Sequence, residues 1–289
     1  MQGTIVKGIG GFYYVDTGQR LYECKARGLF RKEGIIPCVG DFVEMDPLSE
    51  SEGYIVRILP RKNVFIRPPL ANVDCLVLVA AVTKPKPNYA VLNKFLVMGE
   101  LHNTEIVICL TKIDQGGEKE AAKLKDLYGG IYPVVSVSGE TGQGLEDLRA
   151  LLKGKRSALA GSSGVGKSTL LNKLQEEVVA ETGEISAKSQ RGRHTTRHVE
   201  LFPLPGGGMI FDTPGFTSFD ILEAEAEELA SCYPEMEAYI GSCRYYDCCH
   251  LAEPGCKVRE AVEAGRIHPG RYEAYKEQMQ EIRNRKKYG

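Results

Sequence analysis

Residues 161–168 read GSSGVGKS, entered from the apolar run SALA and followed by TLLNKL. No other stretch constrains the fold as strongly, because it requires a buried strand, a glycine-rich turn and a helix start, in that order. It fits G-x-x-x-x-G-K-[ST] at every defined position. Gly161, Ser162, Ser163, Gly164, Val165, Gly166, Lys167 and Ser168 are therefore candidate phosphate-binding residues. Backbone N–H groups in such a turn point inward at an anion, and the helix that follows adds its positive end. Lys167 is expected to reach β- and γ-phosphates, and the Ser168 hydroxyl to ligate Mg²⁺. The position of the loop is unusual. It starts more than halfway along 289 residues, after a region that already reads as a nucleotide-binding domain.

That region is preceded by a different pattern. Residues 1–67 hold the short β-like runs GTIVKGI, GFYYVDT, RLYECKA, DFVEM and GYIVRIL, without helical periodicity. They predict an OB-like or SH3-like barrel of about five strands. Arg27, Arg31, Lys32, Arg57, Arg61 and Lys62 interleave with Phe30, Phe42 and Tyr54. Such a mixture suits phosphate contacts and base stacking on RNA, and an ordinary charged barrel surface is the other reading. RPPLANVD, starting at Arg67, reads as a stiff connector. Residues 68–219 then alternate continuous apolar strands with amphipathic helices, the signature of a parallel sheet covered on both faces. HVELFPL and GGMIFD close it as a strand pair. Residues 220–289 are helical in pattern, in DILEAEAEELASCYPEMEAYI, VREAVEAGRI and RYEAYKEQMQEIRNRKK, and too few for an independent core without a staple.

Composition narrows the class without naming a partner: 43% hydrophobic, 26% charged, formal net charge −1. No apolar run approaches the ~18 residues of a membrane span. The start lacks a signal-peptide pattern, so a cytoplasmic protein with reduced thiols is expected. Cys75 and Cys109 sit in apolar runs and read as core residues. Four of the nine cysteines crowd into residues 243–256.

Five further motifs carry chemistry. TKID, residues 111–114, ends a strand. The Asp114 carboxylate can accept two hydrogen bonds from the N1–H and amino edge of guanine, a donor pair adenine lacks. Lys112 can lay its stem on the purine face. SGETG, residues 138–142, follows the next strand, and its backbone around Ser138 and Gly139 can meet the guanine carbonyl. DTPG, residues 212–215, places Asp212 toward the Mg²⁺ shell and the Gly215 N–H toward the γ-phosphate. Between lies the polar stretch GRHTT, where Thr195, slightly favoured over Thr196, is a candidate second Mg²⁺ ligand. Small GTPases place a water-orienting glutamine just after D-x-x-G, and Phe216 stands there instead. His194 is the nearest substitute, as a catalytic residue or as a solvent- or RNA-facing one. Finally, CRYYDCCHLAEPGC offers Cys243, Cys248, His250 and Cys256 as a closed tetrahedral zinc site, with Cys249 spare.

The order of these motifs is TKID, SGETG, GSSGVGKS, GRHTT, DTPG, a circular permutation of the usual GTPase order. With a barrel before and a C-x₄-C-x-H-x₅-C segment after, the chain resembles the bacterial ribosome small subunit-dependent GTPase A (RsgA-type) family over essentially its whole length. The resemblance implies an OB-fold (1–67), a permuted P-loop GTPase domain (68–219) and a helical zinc domain (220–289). It implies GTP hydrolysis stimulated by the 30S subunit during late maturation, with 16S rRNA as partner and neither DNA nor a membrane. By position it assigns the phosphate and Mg²⁺ to 161–168 with Thr169, guanine to Thr111, Lys112 and Asp114, and one zinc to the Cys₃His set. A monomer is expected. An RNA-binding scaffold with GTP as a conformational ligand is the alternative. Thr111 departs from the more frequent asparagine, and its shorter hydroxyl predicts weaker guanine affinity with selectivity kept by Asp114.

Overall fold

The computed structural model of the chain describes residues 1–28, 30, 34–182, 199–213, 216, 222 and 224–288. In chain order its strands are β1 (Gln2–Ile9), β2 (Phe12–Asp16), β3 (Leu21–Ala26), β4 (Phe42–Pro47), β5 (Glu52–Ile58), β6 (Val64–Phe65), β7 (Leu70–Ala71), β8 (Cys75–Ala81), β9 (Glu105–Thr111), β10 (Val134–Val137), β11 (Arg156–Ala160), β12 (Glu200–Pro203) and β13 (Met209–Asp212). Its α-helices are α1 (Tyr89–Leu101), α2 (Glu118–Tyr128), α3 (Leu145–Leu152), α4 (Lys167–Thr182), α5 (Lys257–Glu263) and α6 (Pro269–Tyr288). They fall into two compact units. One comprises Met1–Val77, Gly142–Ala160 and Lys167–Phe216; the other comprises Leu78–Thr141, Gly161–Gly166 and Thr217–Gly289.

In the first unit, β1-β2-β3-β5-β4 close on themselves through a β1–β4 pairing, giving the expected five-stranded barrel. Period-two alternation turns Ile5, Val15, Cys24, Val43, Met45 and Ile55 inward, all fully buried. Strand β1 also pairs outward with β12 at Lys7↔Glu200, where the Lys7 ammonium lies 3.5 Å from the Glu200 carboxylate. The expected strand pair forms, with β12 antiparallel to β13, and β13 runs parallel to β11. The stretch expected as an extended connector is a hairpin instead. Phe65 pairs with Leu70 and Val64 with Ala71, and residues 66–69 form the turn between them. The prolines serve that turn, and the flanking apolar residues gain backbone partners that an extended linker would leave to water.

In the second unit β10-β9-β8 lie side by side, with β9 and β10 parallel. Cys75 and Cys109 are fully buried in β8 and β9. Helix α1 starts at Asn88, whose side chain accepts the Val91 N–H. The C-terminal segment forms one apolar cluster, with Leu229, Tyr233, Met236, Val258, Ala261, Tyr275, Met279 and Ile282 packed around Val97 of α1. Sequence periodicity predicts a helix over its first part, but the described residues form two 3-10 turns, Leu229–Cys232 and Pro234–Tyr239. Pro234 is the reason: the residue before a proline is pushed out of helical geometry, and Tyr233 is at φ −121°, ψ 89°.

One buried charge braces this unit. Arg271 of α6 is 1% exposed and faces Glu235 through two nitrogens, at 2.7 and 3.4 Å. It also donates to Asn93 Oδ1 of α1 at 3.1 Å, and its guanidinium sits 4.5 Å from the Tyr233 ring centroid. Tyr128 of α2 donates to the same Asn93 oxygen at 3.0 Å. Removing one partner of such a pair leaves a buried charge uncompensated, at a cost of about 3–5 kcal/mol.

Candidate functional site

The corner expected to read guanine is built where β9 ends. Thr111 is buried there, and its hydroxyl donates to the Val165 carbonyl of the phosphate loop at 2.5 Å. Lys112 adopts left-handed backbone (φ 62°), and its ammonium donates to the carbonyls of Gly164 at 2.8 Å and Lys84 at 2.5 Å. Asp114 lies in the 3-10 turn Ile113–Gln115. The Ser138 hydroxyl donates to Asp114 Oδ1 at 2.6 Å, while its oxygen accepts the N–H groups of Glu140 (3.2 Å) and Thr141 (3.0 Å). That chain of bonds fixes the plane of the carboxylate before any ligand arrives. Gly139 is part of the same turn. The shorter side chain of Thr111 therefore still reaches the phosphate loop, so that link does not require an asparagine amide.

The phosphate loop shows why residue 161 is glycine. Its φ is +144°, and a Cβ there would lie 2.2 Å from the Val79 carbonyl oxygen. Gly164 and Gly166 are also at positive φ. Val165 is buried, which anchors the loop, and Ser162, Ser163, Ser168 and Thr169 are exposed or half-buried. Lys167 opens α4, and burial pushes its ammonium down to about 8. A bound polyphosphate would reverse that shift by supplying the missing counter-charge. Asp212 ends β13, and the neighbouring Thr213 hydroxyl donates to the Leu159 carbonyl at 3.4 Å. His194, Thr195, Thr196 and Gly215 lie outside the described residues, as do Arg31 and Lys32.

Cys243, Cys248, His250 and Cys256 come together with one ligand atom each, all within 4.8 Å of one another. Cys243 Sγ and Cys256 Sγ are 4.0 Å apart, and each is 3.5 Å from His250 Nδ1. A tetrahedral ion with metal–sulfur distances of about 2.3 Å and metal–nitrogen distances of about 2.0 Å has ligand–ligand edges of roughly 3.5–3.8 Å, so the set could hold one. Burial lowers the His250 pKa, keeping the imidazole in the neutral form a metal ligand needs. Cys249 is outside the set, with its Sγ turned toward the Asp247 carbonyl at 3.7 Å. The loop is held from α6: Tyr272 donates to the His250 carbonyl and Tyr275 to the Cys249 carbonyl, both at 2.8 Å. Glu253 accepts the N–H groups of Cys249, Leu251 and Ala252.

Among the described residues, four of the six basic residues named above have carboxylate partners. Arg61 is locked to the fully buried Asp41 at 2.7 and 2.8 Å. Arg27 pairs with Asp46, Arg57 with Glu44 and Lys62 with Asp74. Phe30 is buried, while Phe42 and Tyr54 keep 39% and 38% of their surface in solvent. Sequence reading also missed two groups. The Lys84 and Val79 carbonyls reach the site only through packing, and no local pattern marks them.

A T-K-x-D corner whose threonine and lysine bond a phosphate loop that follows it in sequence marks the circularly permuted P-loop GTPase order. The comparisons agree. The RsgA GTPase family profile matches residues 58–222, and that of the RsgA N-terminal domain matches residues 2–55. The small ribosomal subunit biogenesis GTPase RsgA of Caldanaerobacter subterraneus subsp. tengcongensis is 46% identical over 99% of this chain and 97% of its own. That of Agathobacter rectalis is 44% identical over the full length of both. Among solved structures, YjeQ from Thermotoga maritima superposes with a TM-score of 0.84 at 36% identity, covering 97% and 98% of the two chains. YloQ, described as a circularly permuted GTPase, gives 0.81 at 36% identity, covering 98% and 95%. The chain belongs to the RsgA family of GTPases, enzymes that hydrolyse GTP with Mg²⁺. Among the described residues no helix is long and apolar enough to cross a membrane.

Proposed function

We propose that this chain hydrolyses GTP in late maturation of the small (30S) ribosomal subunit, and that the subunit stimulates turnover. The observation that carries the nucleotide choice is Asp114, its carboxylate held by Ser138 in a corner tied to the phosphate loop by Thr111 and Lys112. The ribosomal part rests on the name shared by the full-length relatives. In this reading 161–168 with Thr169 hold the phosphates, Lys167 neutralises charge developing on the γ-phosphoryl group, and Ser168 and Thr195 ligate Mg²⁺. Asp212 steadies that ion's water shell, and the Gly215 N–H senses the γ-phosphate. A water attacks the γ-phosphorus, the bond to the β-phosphate oxygen breaks, and GDP and phosphate leave.

His194 orients that water in place of the missing glutamine. His194→Ala tests this role: turnover is expected to fall with nucleotide affinity nearly unchanged, and unaltered turnover removes His194 from the mechanism. The Cys₃His set holds one structural zinc, whose contribution is to staple a segment too small to fold by its own core. Three domains are proposed, 1–67, 68–219 and 220–289. The barrel meets 16S rRNA, with Phe42 and Tyr54 as its exposed aromatics, and the protein works as a cytoplasmic monomer. GTP and ATP hydrolysis measured alone, with 30S and with 50S subunits tests the whole. Stimulation of GTP turnover by 30S alone is expected, and equal rates in all three conditions refute it.

A further inference from the structure

Two cysteines stand side by side at 248 and 249, and only Cys248 brings its Sγ into the four-atom set. Residue type does not choose between them, since both are thiols on one short loop. What differs is how the chain is held. Cys249 is fastened on both sides of its backbone: its N–H donates to Glu253 Oε1 at 3.1 Å, and its carbonyl accepts the Tyr275 hydroxyl at 2.8 Å. Its Sγ lies instead toward the Asp247 carbonyl, at 3.7 Å.

The grip continues through His250. The other Glu253 oxygen, Oε2, accepts the N–H groups of Leu251 at 2.8 Å and Ala252 at 3.0 Å. From α6, the Tyr272 hydroxyl donates to the His250 carbonyl at 2.8 Å. Between these bonds His250 adopts φ 57°, left-handed backbone that disfavours a residue carrying a Cβ. Its ring is buried, with Nδ1 3.5 Å from each of Cys243 Sγ and Cys256 Sγ. Three N–H groups converging on one carboxylate form an anion-binding nest, filled here by the chain's own Glu253. Electrostatics does not account for a carboxylate at this place. Three thiolates around a divalent cation keep a net negative charge, which a nearby carboxylate opposes. The gain from Glu253 is geometric.

We propose that Glu253, with Tyr272 and Tyr275, sets the register of the metal loop: it presents Cys248 and His250 to the ion and holds Cys249 out. All three are positioning residues, since none supplies a ligand atom. This role presupposes the structural zinc and needs neither nucleotide nor ribosome. A residue that only stabilised the fold would weaken metal binding without changing which thiol is used. A register-setting residue changes the thiol itself.

The test measures Zn²⁺ affinity of the full chain by competition with a chromophoric chelator. Cys248→Ser and Cys249→Ser are each placed in the wild-type and Glu253→Gln backgrounds, glutamine offering a single acceptor oxygen to three N–H groups. In the wild-type background Cys249→Ser is expected to cost less than about twofold, and Cys248→Ser more than about a hundredfold, beyond the range typical of supporting residues. Glu253→Gln alone is expected to cost about tenfold. In that background the two serine variants are expected to fall within about threefold of each other, the non-additivity that marks coupled sites. Alkylation of the Zn²⁺-loaded protein, located by peptide mass spectrometry, reads the spare thiol directly: Cys249 and not Cys248 in wild type, both in Glu253→Gln. Val258→Ala opens the buried core of the same segment and removes none of these bonds. It is expected to weaken Zn²⁺ binding and leave Cys249 as the labelled thiol. A gap between the serine variants as wide in Glu253→Gln as in wild type overturns the proposal, as does labelling that stays on Cys249. Should Glu253→Gln take up no metal, Tyr275→Phe carries the same comparison, keeping the ring and removing one bond to Cys249. The gap is then expected to narrow about fivefold, and an unchanged gap overturns the proposal. A wild-type chain that takes up no Zn²⁺ would refute the zinc reading itself, a result read from the unmutated protein alone.

Discussion

The four ligand atoms of the metal cluster come from residues 243–256, one short loop, and lie within 4.8 Å of one another. The groups around Asp114 come from four separate stretches, at Lys84, Thr111, Ser138 and Gly164. Both regions hold polar groups at hydrogen-bonding distance, but they are held by different means. Three thiols and an imidazole this close have little to gain from each other, and a bound ion would make the arrangement favourable. The corner around Asp114 is organised within the chain: Thr111 and Lys112 donate to backbone carbonyls, and Ser138 donates to the Asp114 carboxylate. One region is completed by its ligand and the other is organised in advance of it.

The comparison breaks most visibly on the metal side. Strong chelation, or Cys256→Ala, is expected to abolish the thermal transition of the C-terminal segment, since structural zinc supplies on the order of 10 kcal/mol to small domains. GDP affinity is expected to change by less than about threefold, because the hydrogen bonds described for the two regions involve different partners. Metal content, calorimetry and nucleotide titration check this together, and a parallel collapse of GDP binding would show that the corner depends on the cluster.

A smaller effect is expected from Asp114→Asn. Losing two charge-assisted bonds to the guanine edge costs about 3 kcal/mol, roughly a hundredfold in GDP affinity, with xanthine nucleotides gaining in compensation. The C-terminal melting transition is expected to stay where it is. Ser138→Ala sharpens the point. It leaves the Glu140 and Thr141 amides without their acceptor and frees the carboxylate to rotate, at a cost of about 1 kcal/mol, or fivefold in affinity. In the Asp114→Asn background the same change is expected to cost almost nothing, because there is no longer a carboxylate to orient. Equal losses in both backgrounds would mean that Ser138 acts on the loop and not through Asp114.

Much of the site was legible in the sequence because its motifs are local. The phosphate loop is eight consecutive residues, the metal ligands lie within one loop, and both sit at element ends that hydrophobic periodicity marks well. Residues whose role depends on partners far along the chain were harder. Four of the barrel's basic residues, Arg61, Arg57, Arg27 and Lys62, have the carboxylates Asp41, Glu44, Asp46 and Asp74 as partners, which no local pattern announces. Periodicity over 220–240 reads as one helix, and the single residue Pro234 divides it. Phe216 reads as an absence of glutamine, and its burial against Phe65 has no sequence signal at all.

The sequence by itself determined the order of the motifs, and with it the permuted GTPase class, the choice of guanine over adenine and the donor set for a metal. Each of these depends on residue type and short-range spacing, which the chain carries wherever it is folded. Only the tertiary structure decided that barrel strand β1 pairs with β12, that Arg271 is buried against Glu235, and that Phe216 is buried edge-on against Phe65. These are contacts across tens to hundreds of positions. Which of many apolar or charged groups finds which partner is set by close packing of the whole core, and no local pattern encodes it.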